Sequence, residues 1–117
     1  MTASELLREA ETLVALGWCQ HATARTHEGA SIDVAAGNAA EWSLLGALQA
    51  VTFRDASTTV DDLRDALSAI AELIEDPSLA HWNDEEGRTQ ADVCGLLSRA
   101  GQIVELPGLD SNQQPSG

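Results

Sequence analysis

Two short segments concentrate the side chains able to do chemistry: Trp18-Cys19-Gln20-His21 and His81-Trp82-Asn83-Asp84. A nucleophilic site would use Cys19 as thiolate, His21 or His81 as base, and Asp84 or Asn83 to orient that base. A cysteine ionises near neutral pH only beside such a base or in a positive field. The formal net charge of -13 opposes this, because a negative surface favours the thiol over the thiolate. The expectation adopted is therefore a buried Cys19 acting as a small hydrophobe beside a core tryptophan. If the segments form a ligand pocket instead, Trp18, Gln20, Trp82, Asn83 and Arg88 are its binding candidates. That alternative requires the two segments to meet in space and to leave a concave opening containing His or Cys.

A metal site would have to draw on His21, His27 and His81 with Cys19 or Asp84, a ligand mixture that zinc accepts. The closely spaced cysteine pairs of structural zinc sites do not occur in the chain. Asp84, Glu85 and Glu86 lack the alternating spacing of a calcium loop, and the glycines fit no phosphate-binding spacing. No metal and no cofactor are expected. Arg88 follows four residues rich in carboxylates, so an ion pair fixing the turn is expected there rather than anion capture at a helix N-terminus. Trp18, Trp42 and Trp82, three of only four aromatic residues, are expected to close the core.

Composition limits the function classes. The 117 residues suffice for one core, and they are rich in Ala and Leu with aromatics at only 3%. Helices packed by methyl groups are the expected result. The six basic residues against 19 acidic ones oppose direct nucleic-acid binding, which depends on Lys and Arg releasing counterions from phosphates. No stretch approaches the roughly 20 apolar residues of a membrane span. Glu5, Arg8, Glu9 and Glu11 stand where a signal peptide would need a positive and then an apolar segment, so a cytoplasmic location is expected. Cys19 and Cys94 form no spaced framework and are expected to be thiols.

The elements that must position these residues follow from caps and periodicity. Thr2 with Glu5 forms a capping box for a first helix over about 3–16, inward at Leu6, Ala10 and Leu13 and stopped by a left-handed Gly17. Residues 18–34 show no helical period and read as a loop or irregular hairpin turning near His27-Glu28-Gly29. A second helix is expected over about 38–53, inward at Ala40, Leu44, Ala47, Leu48 and Val51. Gly46 in its middle implies that another backbone, expected to be a crossing helix, packs closely there. Thr59 with Asp62 opens a third helix to about Glu75, with Val60, Leu63, Leu67, Ile70 and Ile74 as its inward stripe. A connector over 79–88, with room for a short turn of helix, leads to a fourth helix, capped by Thr89 with Asp92, running to Ala100 and stopped by Gly101. The fold class expected is all-α, or mainly α with a short hairpin: a single-domain bundle of about four helices over 1–109, followed by a disordered tail over 110–117.

Gly17-Trp18-Cys19-Gln20, Trp42 with Leu45-Gly46-Ala47-Leu48, and Trp82-Asn83-Asp84 with Gly87-Arg88-Thr89 and Val93 resemble the signature of a small helical domain family of unknown function, associated with actinobacteria and their phages. The resemblance covers roughly residues 6–100, and its most specific part runs from Trp82 to Thr89. Ser43 stands where members often carry cysteine. The resemblance implies a compact helical domain and carries no activity.

The functional expectation is therefore a small acidic interaction or regulatory module, leaning away from enzyme. Asp61, Asp62, Asp65, Glu72 and Glu75 on the outer face of the third helix are its partner-binding candidates. Such a face raises association rates with a basic protein partner in a salt-dependent way. The alternative is the small-molecule pocket or enzyme site between the Trp18–His21 and His81–Asp84 loops. A homodimer through an apolar helix face is a third possibility, and neither nucleic acid nor membrane is an expected partner.

Overall fold

The computed structural model describes residues 1–105. Helix α1 (Ala3–Leu16) is followed by two short strands, β1 (Ala24–Arg25) and β2 (Glu41–Trp42). Four more helices complete the described chain: α2 (Leu44–Arg54), α3 (Val60–Leu73), α4 (Leu79–Asp84) and α5 (Gln90–Glu105). The fold is thus mainly helical with one short antiparallel pairing, as expected. Helix α1 is the hub: it packs on α5, α2 and α3, while α5 also packs on α3 and α4 on α2. Among the described residues, no helix is long and apolar enough to cross a membrane.

The caps form as the sequence dictates. Thr2 and Glu5 exchange hydrogen bonds with each other's backbone N–H at the start of α1, and Thr59 with Asp62 does the same for α3. Thr89 and Asp92 repeat the exchange ahead of α5, at 3.0 and 3.1 Å. Each pair satisfies N–H groups that a helix start leaves without partners. Leu6, Leu7, Ala10, Leu13 and Val14 of α1 pack against Leu44, Ala47, Leu48 and Val51 of α2 and Val93, Leu96, Leu97 and Ala100 of α5 in one apolar core.

Several expected boundaries move, each for a visible reason. Gly17 is not a left-handed stop but is extended, with φ -174°. It is glycine because a Cβ there would stand 2.3 Å from the carbonyl oxygen of Ala40. The second helix does not begin near residue 38. Glu41 and Trp42 pair with Arg25 and Ala24 instead, and Ser43 caps α2 by accepting from the N–H of Gly46 at 3.0 Å. The backbone that crowds Gly46 belongs to the loop at Thr23 rather than to a helix, since a Cβ on Gly46 would lie 1.9 Å from the Thr23 carbonyl oxygen. Gly101 does not stop the last helix, which continues to Glu105. The turn at His27-Glu28-Gly29 is present, closed by the Thr26 N–H donating to the Ala30 carbonyl at 2.9 Å. The tail over 110–117 lies outside the described residues.

The largest correction concerns α3. Its buried residues are Ala66, Ala69 and Ile70, with Ile74 just beyond its end. Of the expected inward stripe, Leu63 and Leu67 are only partly buried and Val60 is 74% exposed. The apolar arc of α3, which also takes in Ala71 and Leu73, is wider than one contact can cover. Contact with α1 and α5 buries Ala66, Ala69 and Ile70, and the side of the arc carrying Val60, Leu63, Leu67 and Ala71 stays partly or wholly at the surface.

Candidate functional site

The site builds outward from one amide. Helix α4 has only six residues, started by Ser78, whose hydroxyl accepts from the N–H of His81 at 3.1 Å. Its one buried residue is Asn83, with no exposed surface. A primary amide offers two donor hydrogens and an acceptor oxygen with two lone pairs, and all four positions are used. Oδ1 accepts from the Trp18 indole N–H at 2.8 Å and from the backbone N–H of Leu44 at 3.0 Å. Nδ2 donates to the Cys19 carbonyl at 3.1 Å and to Asp84 Oδ1 at 2.9 Å. Because Leu44 is the first residue of α2, Asn83 satisfies an N–H group that the helix start leaves free. Three stretches of chain that are remote in sequence, at residues 18–19, 44 and 83–84, meet on this side chain.

The surrounding side chains extend the network. Gln20 Nε2 donates to the carbonyls of Asn83 and Glu85 at 3.0 and 3.1 Å, satisfying oxygens that the end of α4 leaves open. His21 sits in the left-handed region with φ 66°. Its backbone N–H donates to Asp84 Oδ1 at 2.9 Å, and its ring Nδ1 stands 3.8 Å from Asp84 Oδ2. Arg88 lies 3.9 Å above the Trp82 ring, donates from Nε to the Trp82 carbonyl at 2.9 Å and pairs with Glu85 at 2.5 Å. The ion-pair role expected of Arg88 is the one seen.

The two sequence-selected segments therefore meet, as a pocket would require, but what lies at their junction is the packed Asn83 amide. A depression of about 540 Å³ does carry His81, Trp82 and Arg88, yet its other walls are Glu75, Asp76, Pro77 and Glu85, and it takes no residue from the Trp18–His21 loop. His81 is held by Asp76, whose hydrogen bond raises the imidazole pKa from its ordinary value. Cys19 is buried, and its Sγ donates to the Ala22 carbonyl at 3.7 Å. Burial pushes its pKa up to about 11; Arg25 opposes the rise, and Glu41 and Asp84 add smaller contributions to it. The thiol is thus far from a nucleophile at neutral pH. Among the described residues no three His, Cys, Asp or Glu side chains group as metal ligands. Trp42 is buried, while Trp18 and Trp82 pack against the core from its edge.

A model of the family of unknown function DUF6197 matches residues 1–103. The chain belongs to that family. No curated protein and no solved structure matches it. Within this DUF6197 chain the signature segments have a structural reading: Trp18, Cys19, Gln20, Asn83, Asp84 and Arg88 all take part in the network around α4. Ser43 caps α2.

The partner-binding candidates on α3 are distributed differently. Asp61, Asp65, Glu72 and Glu75 are exposed, whereas Asp62 is partly buried and committed to the cap of α3. Asp61 pairs with Arg64 at 2.8 Å. On another face of α3 lies a feature not expected from the sequence: an apolar groove. Its walls are Leu45, Leu48 and Phe53 of α2 with Leu63 and Leu67 of α3, and a second depression on the outer side of Leu63 and Leu67 is lined by Val60, Arg64 and Ala71 of α3. The signal for it was the breadth of the apolar arc on α3, together with Phe53 at the end of α2.

Proposed function

We propose that this chain is a small acidic interaction module, located in the cytoplasm, that binds a basic protein partner on the α3 side. The observation that carries the reading is the pairing on one helix of an exposed carboxylate row, Asp61, Asp65 and Glu72, with an uncovered apolar stripe, Val60, Leu63 and Leu67. Carboxylates of one sign on one face attract a basic surface over about a Debye length, and apolar contact holds it once it arrives. The candidate catalytic groups favour this reading over an enzyme, because Cys19 is a buried thiol with a raised pKa and the amide of Asn83 fills the junction of the two loops.

The test is a titration of the protein with a labelled arginine-rich peptide at about 50 mM and about 500 mM salt. Affinity should fall steeply with salt, and the double variant Asp65→Lys/Glu72→Lys should weaken low-salt binding about tenfold, equivalent to about 1.4 kcal/mol. Binding that is insensitive to salt and to charge reversal would remove the reading.

A further inference from the structure

We infer that the groove between α2 and α3 seats the apolar side chains of a basic amphipathic helix. The inference rests on the acidic-module reading and adds to it the form of the partner. Phe53 at 71% and Val60 at 74% exposure are too open to be core residues. They flank two depressions of about 300 and 400 Å³ that share Leu63 and Leu67 as the ridge between them. The groove exists because α2 and α3 both lean on α1 and barely touch each other.

The walls select the shape of the occupant. Both are helices, whose interior backbone groups are already paired along their own axes, so they offer no row of N–H and C=O groups to an incoming strand. A segment pressed into apolar surface must then satisfy its own backbone, which a helix does. The eleven residues of α2 span about 16 Å, room for about three turns and two or three anchors at i, i+3 or i+4, and i+7.

Charge selects the flanks of the occupant. Asp61, Asp65 and Glu72 run along the exposed face of α3, with Arg64 and Ser68 between them and the apolar stripe. The nearby cations are engaged: Arg64, which lines the outer depression, pairs with Asp61 at 2.8 Å, and Arg54 lies over the Trp42 ring at 5.9 Å. A second copy of the chain would bring its own carboxylate row and a net charge of -13 to the same groove, so complementarity favours Arg or Lys on the incoming helix over self-association.

The experiment compares two labelled peptides of about fourteen residues with identical composition. In one, leucines at i, i+4 and i+7 share a helical face flanked by arginines; in the other the same residues are shuffled. The protein should bind the amphipathic peptide at least about tenfold more tightly than the shuffled one. Phe53→Ser with Val60→Ser should erase that ratio while leaving the melting curve unchanged, because both side chains are exposed. Asp65→Lys with Glu72→Lys should weaken both peptides and keep the ratio. Equal, salt-sensitive binding of the two peptides would overturn the groove and leave the acidic-face reading standing, whereas no binding of either at low salt would overturn both. Retention of the ratio in the Phe53/Val60 variant would also overturn the groove. So would a concentration-dependent dimer, seen by light scattering, that this variant dissolves, because it would assign the groove to a second copy.

Discussion

The α4 junction and the α2–α3 groove invert the usual distribution of polar and apolar groups, in opposite directions. At the junction a polar side chain, Asn83, is completely buried, and every hydrogen-bonding position on its amide is used. In the groove, Phe53 and Val60 are largely exposed and Leu63 and Leu67 only half covered. A buried amide is tolerable only when fully paired, since each unmatched group costs about 1–3 kcal/mol. Exposed apolar surface costs the folded state little, and when contiguous it marks a place for something else to bind. The residues richest in chemistry therefore hold the fold together, and the chemically plain residues are the ones left available.

That contrast can be broken most severely at Asn83. Asn83→Leu keeps the volume but strands the Leu44 N–H, the Trp18 indole N–H and the Cys19 carbonyl, so a loss of about 3–5 kcal/mol is expected in urea denaturation. A loss under about 1 kcal/mol would mean the junction is not what closes the fold. A comparison of two tryptophans sharpens the point. Trp18→Phe removes a donor that Asn83 uses and should cost about 1–2 kcal/mol. Trp42 is buried, but its Nε1 has no partner among the described residues. Trp42→Phe should therefore cost less than Trp18→Phe, because losing ring area is offset by losing an unpaired donor; the reverse ranking in paired melts would undercut the network. On the groove side, Phe53→Ser and Val60→Ser should each leave stability within about 0.5 kcal/mol. A larger drop in the midpoint would show that the groove is part of the core.

The smallest effect concerns the clip between His81 and Asp76 at the entry to α4. Asp76 raises the His81 pKa, and the hydrogen bonds from His81 and then from the Ser78 N–H lower that of Asp76. The His81 contribution is full below its ordinary 6.5 and is lost as pH rises through the raised value. The Asp76 contribution is present above 3.8 and is lost as pH falls through the lowered one. The clip should thus hold best between these two ordinary values. Asp76→Asn should flatten the decline in melting temperature on the alkaline side of that window, and an unaltered profile would show that the clip contributes nothing. The His81 side chain is 75% exposed, so water screens the pair and the change is small.

Local signals were legible in the sequence where one turn of chain decides the outcome. Thr2 with Glu5, Thr59 with Asp62 and Thr89 with Asp92 each report a helix start, because donor and acceptor lie three residues apart. Long-range pairings were not legible. Glu41 and Trp42 carry no strand period, and they leave the expected helix only because Ala24, Arg25 and Gly17 offer them partners. Gly46 announced a close neighbour but not that the neighbour is Thr23. The meeting of the Trp18–His21 and His81–Asp84 loops was a stated requirement of the pocket alternative. That Asn83 would fill their junction depends on α2 beginning at Leu44, which the sequence misplaced by several residues. The α3 stripe was assigned inward by period alone, and period does not say how much of a wide arc neighbouring helices will cover.

The most direct test of the contrast is a ¹⁵N-HSQC titration of the protein with the basic amphipathic peptide. Shifts confined to residues 45–54 of α2 and 60–72 of α3, with Leu44 and the side-chain amides of Gln20 and Asn83 unmoved, are the predicted result. Shifts centred on Trp18–His21 and His81–Arg88, with α3 silent, would contradict it and return the functional site to the α4 junction.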